Sequence, residues 1–317
     1  MDSIHTHSHP WKIGVDLGGT KAEVILLDPS DGERHRDRVR TPRDGDYESV
    51  IRTLRDAIRA AADAIPEGER KEAEEGGLTI GMGIPGMIHR ADGRVFTPNL
   101  AMLNDRTPGE DLSRALGRPV LLDNDANCFL RAECRNGAGR GYGVVFGAVL
   151  GTGCGGALSV RGDVWSGAHG FAGEWGHISI DPDGPRCGCG NRGCIETRIS
   201  GSGVEREFRR RFGRKLSMEE IVAGHRAGDA DCGAVFERFL DDFGRSLGGM
   251  ISLLDPDAVV VGGGLSDIEE LFGPGAERVR AWAYRPDART PILRAALGDA
   301  AGVFGAAWLG PEDRDGS

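Results

Sequence analysis

No run of apolar residues approaches the ~20 that a membrane-spanning helix needs. The amino terminus, MDSIHTHSHPW, has neither the basic stretch nor the apolar core of a secretory signal. A cytoplasmic location is therefore the expectation. Positive charge is also scarce: 39 Lys and Arg stand against 49 Asp and Glu, for a net charge of −10. A chain this acidic lacks the broad positive field that nucleic acid or an anionic membrane would require. No glycine recurs at every third position, which excludes collagen. No GxxxxGK(S/T) loop occurs, which excludes a Walker A phosphate site. What is present is 39% hydrophobic and 28% charged residues over 317 positions. That describes a folded globular chain of two domains or one large α/β unit.

Glycine is abundant, at 51 residues, and it clusters. Gly18-Gly19, Gly81 to Gly86, Gly151 to Gly156, Gly188 to Gly193 and Gly262 to Gly264 stand out, several of them after strand-like runs. Glycine permits left-handed backbone and close approach to a ligand, so such clusters suggest ligand loops. Lys12 to Leu17, Ala22 to Asp28 and Glu33 to Arg40 read as an antiparallel meander, and Tyr47 to Ile65 has helical spacing. Pro66 to Gly77 reads as a charged connector before a strand at Leu78 to Ile84. Pro119 to Leu122 is a short strand entering a helix at Asp123-Asn124-Asp125. Gly143 to Leu150 and Ala157 to Val160 flank a second glycine loop, so the strand–glycine turn–strand pattern occurs twice. Residues 203–252 read as helical, Ala258 to Val261 as a strand, Ile268 to Tyr284 as a helix, Ile292 to Ala296 as a strand, and a helix closes the chain from about Ala300.

Five constellations carry chemistry. In Asp16-Leu17-Gly18-Gly19-Thr20-Lys21 a turn between strands can offer N–H groups and a hydroxyl to phosphate, and Asp16 can hold Mg²⁺. Gly151-Thr152-Gly153 repeats that design, and Gly262-Gly263-Gly264 ends an apolar strand where an adenine ring could approach the backbone. In Asp123-Asn124-Asp125-Ala126-Asn127 either acid suits general-base work on an alcohol; spacing does not choose between them. Cys187, Cys189 and Cys194, in a C-x-C-x4-C pattern, follow His177. Thiolates and imidazole suit tetrahedral zinc, whereas a disulfide would leave one cysteine over. Cys128, Cys134, Cys154 and Cys232 read as core residues. The basic run from Arg206 to Lys215 reads as a solvated helix face, and His5, His7 and His9 as part of a frayed terminus.

The ordered set DLGGTK, GMGIPGM, DNDANC, LGTGCGG, AGEWGH, CGCGNRGCIE and VVVGGGLS resembles the ROK family of sugar kinases and sugar-responsive repressors, from Ile13 to about Leu309. The resemblance implies an α/β, actin-like ATPase (ribonuclease H-like) fold, with two α/β domains around a central cleft. The expected division is 1–122 plus a closing helix at about 300–317, and 123–299 as the larger domain. The resemblance implies ATP and Mg²⁺ as cofactors, a structural Zn²⁺ on His177, Cys187, Cys189 and Cys194, and usually a homodimer. It selects Asp125 as the base and assigns sugar contacts to Asn99, Asn124, Asp125, Glu174, His177 and Glu196. ATP is assigned to Asp16, Gly18, Gly19, Thr20, Lys21, Gly151, Thr152, Gly153, Gly262, Gly263 and Gly264.

The implied reaction is transfer of the γ-phosphoryl group of ATP to a sugar 6-hydroxyl. The signatures at 151–155, 172–177 and 194–203, with TPILRAALGDAAGVFGAAWL, resemble the fructokinase/mannokinase branch. IPGM at 84–87 and DNDANC at 123–128 lean toward N-acetylglucosamine kinase. Fructose or mannose is the expected substrate, with N-acetylglucosamine or glucose as the alternative. A sugar-sensing repressor is disfavoured, because only ~10 residues precede the first strand, too few for a helix-turn-helix. No nucleic-acid or membrane partner is expected.

Overall fold

The computed structural model describes residues 10–75, 77–97, 100–285, 287 and 289–310; His5, His7, His9 and Asn99 lie outside the described residues. The chain divides into two compact units. Among the described residues, the first comprises 10–132, 167–171 and 300–310, and the second comprises 133–166 and 172–299. The expected boundary before Asp123 therefore shifts to Ala132. The strand that ends at Asn124 enters its helix with no linker, which keeps Asp123 and Asp125 at the end of the first unit's sheet.

The first unit contains β1 (Trp11–Leu17), β2 (Lys21–Leu27), β3 (Glu33–Arg40), α1 (Tyr47–Asp63), α2 (Glu67–Glu74), β4 (Leu78–Ile84), the short pair β5 (Met87–Ile88) and β6 (Val95–Phe96), α3 (Pro108–Leu116), β7 (Val120–Asn124) and the start of α4 (Asp125–Asn136). Its sheet has the order β3-β2-β1-β4-β7, antiparallel among the first three strands and parallel from β1 through β4 to β7. Ile13, Val15, Ala22, Val24 and Leu26 share a core with Val50, Leu54 and Ile58 of α1. That is the period-2 pattern of strands meeting the helical period. Asp46 caps α1 by accepting from the Ser49 N–H.

The second unit contains β8 (Val144–Leu150), β9 (Cys154–Val160), β10 (Asp163–Val164), α5 (Glu196–Ile199), α6 (Gly201–Phe212), α7 (Met218–Arg226), α8 (Ala230–Leu254), β11 (Ala258–Gly262), α9 (Pro274–Trp282) and β12 (Ile292–Arg294). Its sheet order, β10-β9-β8-β11-β12, reproduces the first in arrangement and strand direction. The twofold strand–glycine turn–strand pattern of the sequence thus extends to whole sheets. Phe236, Phe239, Phe243 and Leu247 of α8 pack with Phe146, Leu150, Val259 and Val261 of that sheet.

The last helix, α10 (Ala301–Ala307), belongs to the first unit. It lies so close to the sheet that a Cβ at Gly14 would overlap the Val303 carbonyl oxygen, and one at Gly81 that of Ala306. Only glycine in β1 and β4 admits the helix at this depth.

Two expectations are corrected. Pro66 to Gly77 is not wholly a connector, because α2 forms within it. Its residues are mostly good helix formers, but only Ala73 is buried, so no apolar period marks it. The helix expected over 268–284 begins only at Pro274, after short 3₁₀ turns at Gly264–Asp267 and Glu269–Leu271. Proline restricts the residue before it and starts helices at their first position, so Gly273-Pro274 sets the start.

Candidate active site

In the first unit β1 and β2 close through the pair Leu17–Ala22, leaving Gly18 to Thr20 as the turn between them. The Gly18 N–H donates to the Lys21 carbonyl at 2.9 Å. Thr41, just beyond β3, braces the turn: its hydroxyl donates to the Gly18 carbonyl at 2.9 Å and its N–H to the Thr20 carbonyl at 3.0 Å. Thr20 and Lys21 are exposed. Asp16 stands opposite Glu23 in register. Burial, aided by the Glu23 charge and opposed by Lys21, pushes the Asp16 carboxyl up to about 6. A hard divalent cation would relieve both costs, so this carboxylate fits the Mg²⁺ that the family implies.

At the junction of β7 and α4, Asn124 is a helix cap. Its Oδ1 accepts from Ala126 N–H at 2.8 Å and Asn127 N–H at 3.3 Å, while its Nδ2 donates to the Gly86 carbonyl at 2.7 Å. Asp123 accepts from the Asn127 amide at 2.6 Å and the Asn124 N–H at 2.8 Å, and lies 3.6 Å from the Arg131 guanidinium. Asp125 is the first residue of α4, and its Oδ1 accepts from the Ala126 N–H at 2.8 Å. The buried Cys128 thiol is pushed far up, first by burial and then by the charges of Asp123, Asp16 and Asp125. Those three acids therefore share one neighbourhood at the carboxyl ends of the strands, where open α/β sheets bind ligands.

In the second unit the β8–β9 turn is held from α6. The Gly201 N–H donates to the Gly151 carbonyl at 2.8 Å, and the Ser202 hydroxyl to the Thr152 carbonyl at 2.8 Å. Beside it lies a cavity of about 480 Å³, within the range of small-molecule sites. Gly151, Thr152 and Gly264 line it, together with Met218, Val222 and Arg226. Gly153, Gly262 and Gly263 are not on its wall. Gly262 completes β11, and Gly263 has a φ of 79°, with its Cα so near the Leu150 carbonyl that a Cβ would overlap it. The walls contributed by α7 escaped sequence reading, because Met218, Val222 and Arg226 are ordinary helix residues.

The Cys/His group assembles as expected. The ligand atoms of His177, Cys187, Cys189 and Cys194 all lie within 4.8 Å of one another. Cys189 and Cys194 sulfurs are 3.6 Å apart, and Cys187 Sγ is 3.5 Å from His177 Nδ1. Tetrahedral zinc with ~2.3 Å bonds to sulfur requires sulfur–sulfur edges of about 3.8 Å, so the donor set fits. The cysteines are not disulfide-bonded. His177 Nε2, on the other side of the ring, faces Glu174 Oε2 at 3.7 Å, the carboxylate–histidine arrangement typical behind a metal. Burial, opposed by His177 and aided by Glu196, pushes the Glu174 carboxyl up. Glu196 Oε2 accepts from the Cys154 N–H at 3.2 Å, and its Oε1 lies 3.8 Å from Cys187 Sγ. Glu174, His177 and Glu196 are thus one group beside the turn and the cysteines.

Residues 12–313 match the ROK family. This chain belongs to it. The ROK match spans both sheets, whose actin-like ATPase fold is the one its motifs imply. The N-acetyl-D-glucosamine kinase of Yersinia enterocolitica serotype O:8 is 38% identical over 306 residues, covering 93% of this chain and 98% of that protein. The structure of a ROK hexokinase from Thermus thermophilus is 33% identical, with a TM-score of 0.80, over 94% of this chain and 96% of that one. A ROK family glucokinase from Streptomyces griseus, in complex with glucose and AMPPNP, is 31% identical with a TM-score of 0.74, over 94% and 98%.

Proposed function

We propose that this ROK protein is an ATP-dependent sugar kinase that phosphorylates the 6-hydroxyl of N-acetyl-D-glucosamine. The observation that carries the reading is end-to-end similarity to an N-acetyl-D-glucosamine kinase, combined with a complete set of phosphate turn, acid, cavity and Cys/His group. The fructose expectation gives way to this alternative. Its signatures are short stretches, whereas the N-acetyl-D-glucosamine kinase is similar over 93% of this chain and 98% of its own length.

In this reading Asp125 accepts the hydroxyl proton as the phosphoryl group transfers. Support comes from Asp123 being engaged by Asn127, Asn124 and Arg131. Asn124 fixes the head of α4, and so the position of Asp125. Glu174, His177 and Glu196 bind sugar hydroxyls, and the second unit's cavity takes the adenosine. Thr20 and Lys21 contact phosphate oxygens, and Asp16 would hold Mg²⁺, which would neutralise phosphate charge. Zinc on His177 and the three cysteines would fix the loop that carries Glu174.

Purified protein assayed side by side on N-acetyl-D-glucosamine, glucose, mannose and fructose with ATP tests the reading. The highest kcat/KM is expected for N-acetyl-D-glucosamine. A tenfold preference for fructose would overturn the choice of sugar alone, and no phosphorylation of any sugar would overturn the kinase reading.

A further inference from the structure

One face of the first sheet carries a ladder of charge across β2 and β3. Glu23 on β2 is gripped by both Arg36 and Arg38 of β3, the latter at 2.9 Å. Arg36 also bonds Glu33 and lies over the Phe304 ring of α10. Arg34 pairs with Asp28 at 2.7 Å. Each of these arginines has a carboxylate. The last step breaks the rule, because Arg40 stands directly opposite Lys21 in the strand register. Among the described residues neither cation forms a close ion pair with a carboxylate, and only Lys21 has one in its field, that of Asp16, although acids outnumber bases in the chain by 49 to 39. Like charges directly opposite on paired strands are destabilising, and such local conflicts concentrate at functional sites.

The location of the conflict gives it meaning. Lys21 and Arg40 are both exposed and sit at the turn end of the two strands. The residue after Arg40, Thr41, holds the Gly18–Thr20 turn by two hydrogen bonds. The backbone of Arg40 is therefore fixed relative to the turn even though its guanidinium is solvated. A planar guanidinium beside an ammonium matches an oxyanion bearing two or more negative charges.

We propose that Arg40 is a phosphate-positioning residue, forming with Lys21 a two-cation grip for the terminal phosphate of the nucleotide. The inference rests on the kinase reading for the identity of the ligand, but the grip for a phosphate oxyanion stands on the strand register alone. Free nucleotide and sugar phosphate present the same chemistry, and the experiment separates them.

The measurement compares wild type, Arg40→Gln and Arg40→Lys. In thermal-shift titrations with magnesium pyrophosphate, the wild type is expected to be stabilised, and Arg40→Gln to lose most of that shift. Without ligand, Arg40→Gln should melt no lower than wild type, since one of two opposed cations is gone; a purely structural role for Arg40 would lower it. In turnover assays Arg40→Gln should raise KM for ATP about tenfold or more and leave KM for the sugar within twofold, with Arg40→Lys recovering part of the loss. A change confined to inhibition by the sugar phosphate, with KM for ATP intact, would overturn the nucleotide assignment. A pyrophosphate shift and KM for ATP both unchanged in Arg40→Gln would overturn the grip altogether. An Arg40-dependent pyrophosphate shift in a protein that phosphorylates no sugar would support the grip while removing the kinase reading.

Discussion

The two sheets share strand order and direction, yet they are equipped differently. In the first unit the turn after the leading strand is followed by Lys21 and accompanied by Asp16, Asp123 and Asp125, so its carboxyl edge is a concentration of charge. In the second unit the matching turn, Gly151 to Gly153, carries no charge and stands beside a cavity of about 480 Å³. The first turn is accompanied by three carboxylates and an ammonium, whereas the second borders a cavity whose wall mixes Gly151, Met218 and Val222 with Glu205, Glu219, Arg226 and Asp267. A duplicated topology sets where strand ends and turns fall; the side chains there set the chemistry of each edge.

The comparison is broken most severely at Asp125. Asp125→Asn is expected to lower kcat by about 10²–10⁴ while isothermal titration still detects sugar binding. Asp123→Asn should be milder, and an Asp125→Asn enzyme keeping more than about a tenth of wild-type kcat would reject Asp125 as the base. In the second unit, metal analysis should find about one zinc per chain. Cys189→Ser should release it and raise KM for sugar. Normal zinc content in the variant would remove Cys189 from the ligand set.

A smaller effect tests the role of the cavity. Ala223 is exposed and lines the cavity, so Ala223→Trp should fill it at little cost to folding. KM for ATP should rise by roughly tenfold, about 1.4 kcal/mol of binding, and KM for sugar should not move. An unchanged KM for ATP would show that the cavity is not where adenosine sits.

A further effect, on stability and not on turnover, concerns Asp16. The Asp16 carboxyl rises from its ordinary 3.8 to about 6 in the folded chain, so its ionised form costs the fold at most roughly 3 kcal/mol. The sign follows: the cost is absent below pH 4, grows between pH 4 and 6, and is complete above pH 6. Asp16→Asn should therefore melt higher than wild type at pH 7.5 in the absence of Mg²⁺, with the difference vanishing near pH 4. A variant that melts lower at pH 7.5 would contradict this account of Asp16.

Much of this arrangement is legible in the sequence wherever local chemistry is distinctive. β1 alternates and β2 is an apolar run beside it, α1 shows a clear apolar stripe, and three cysteines within eight residues with a preceding His announce their own assembly. The acids of DNDAN are visible as candidates, but spacing does not choose between them, and the choice of Asp125 comes from the family resemblance. What stays hidden is made of unremarkable residues. α2 has no apolar period because solvent covers almost all of it, and the cavity walls on α7 read as plain amphipathic helix. The sugar is harder still, because discrimination depends on the space around one acetamido group, and motif spacing encodes no volume.

The seating of α10 against Gly14 and Gly81 has a consequence for how the chain matures. Residues 133–166 and 172–299 form a unit that contains all its own strands, whereas the sheet begun at Trp11 acquires its last helix only from residues 301–307. During synthesis the amino-terminal sheet waits with one glycine-lined face uncovered until nearly the whole chain has been made. Pairing the first strand with a helix nearly 300 positions away is a slow, long-range event. The part of the molecule made first is thus finished last, and pulse-labelled hydrogen exchange during refolding should find protection in β8 and β11 before β1 and β4.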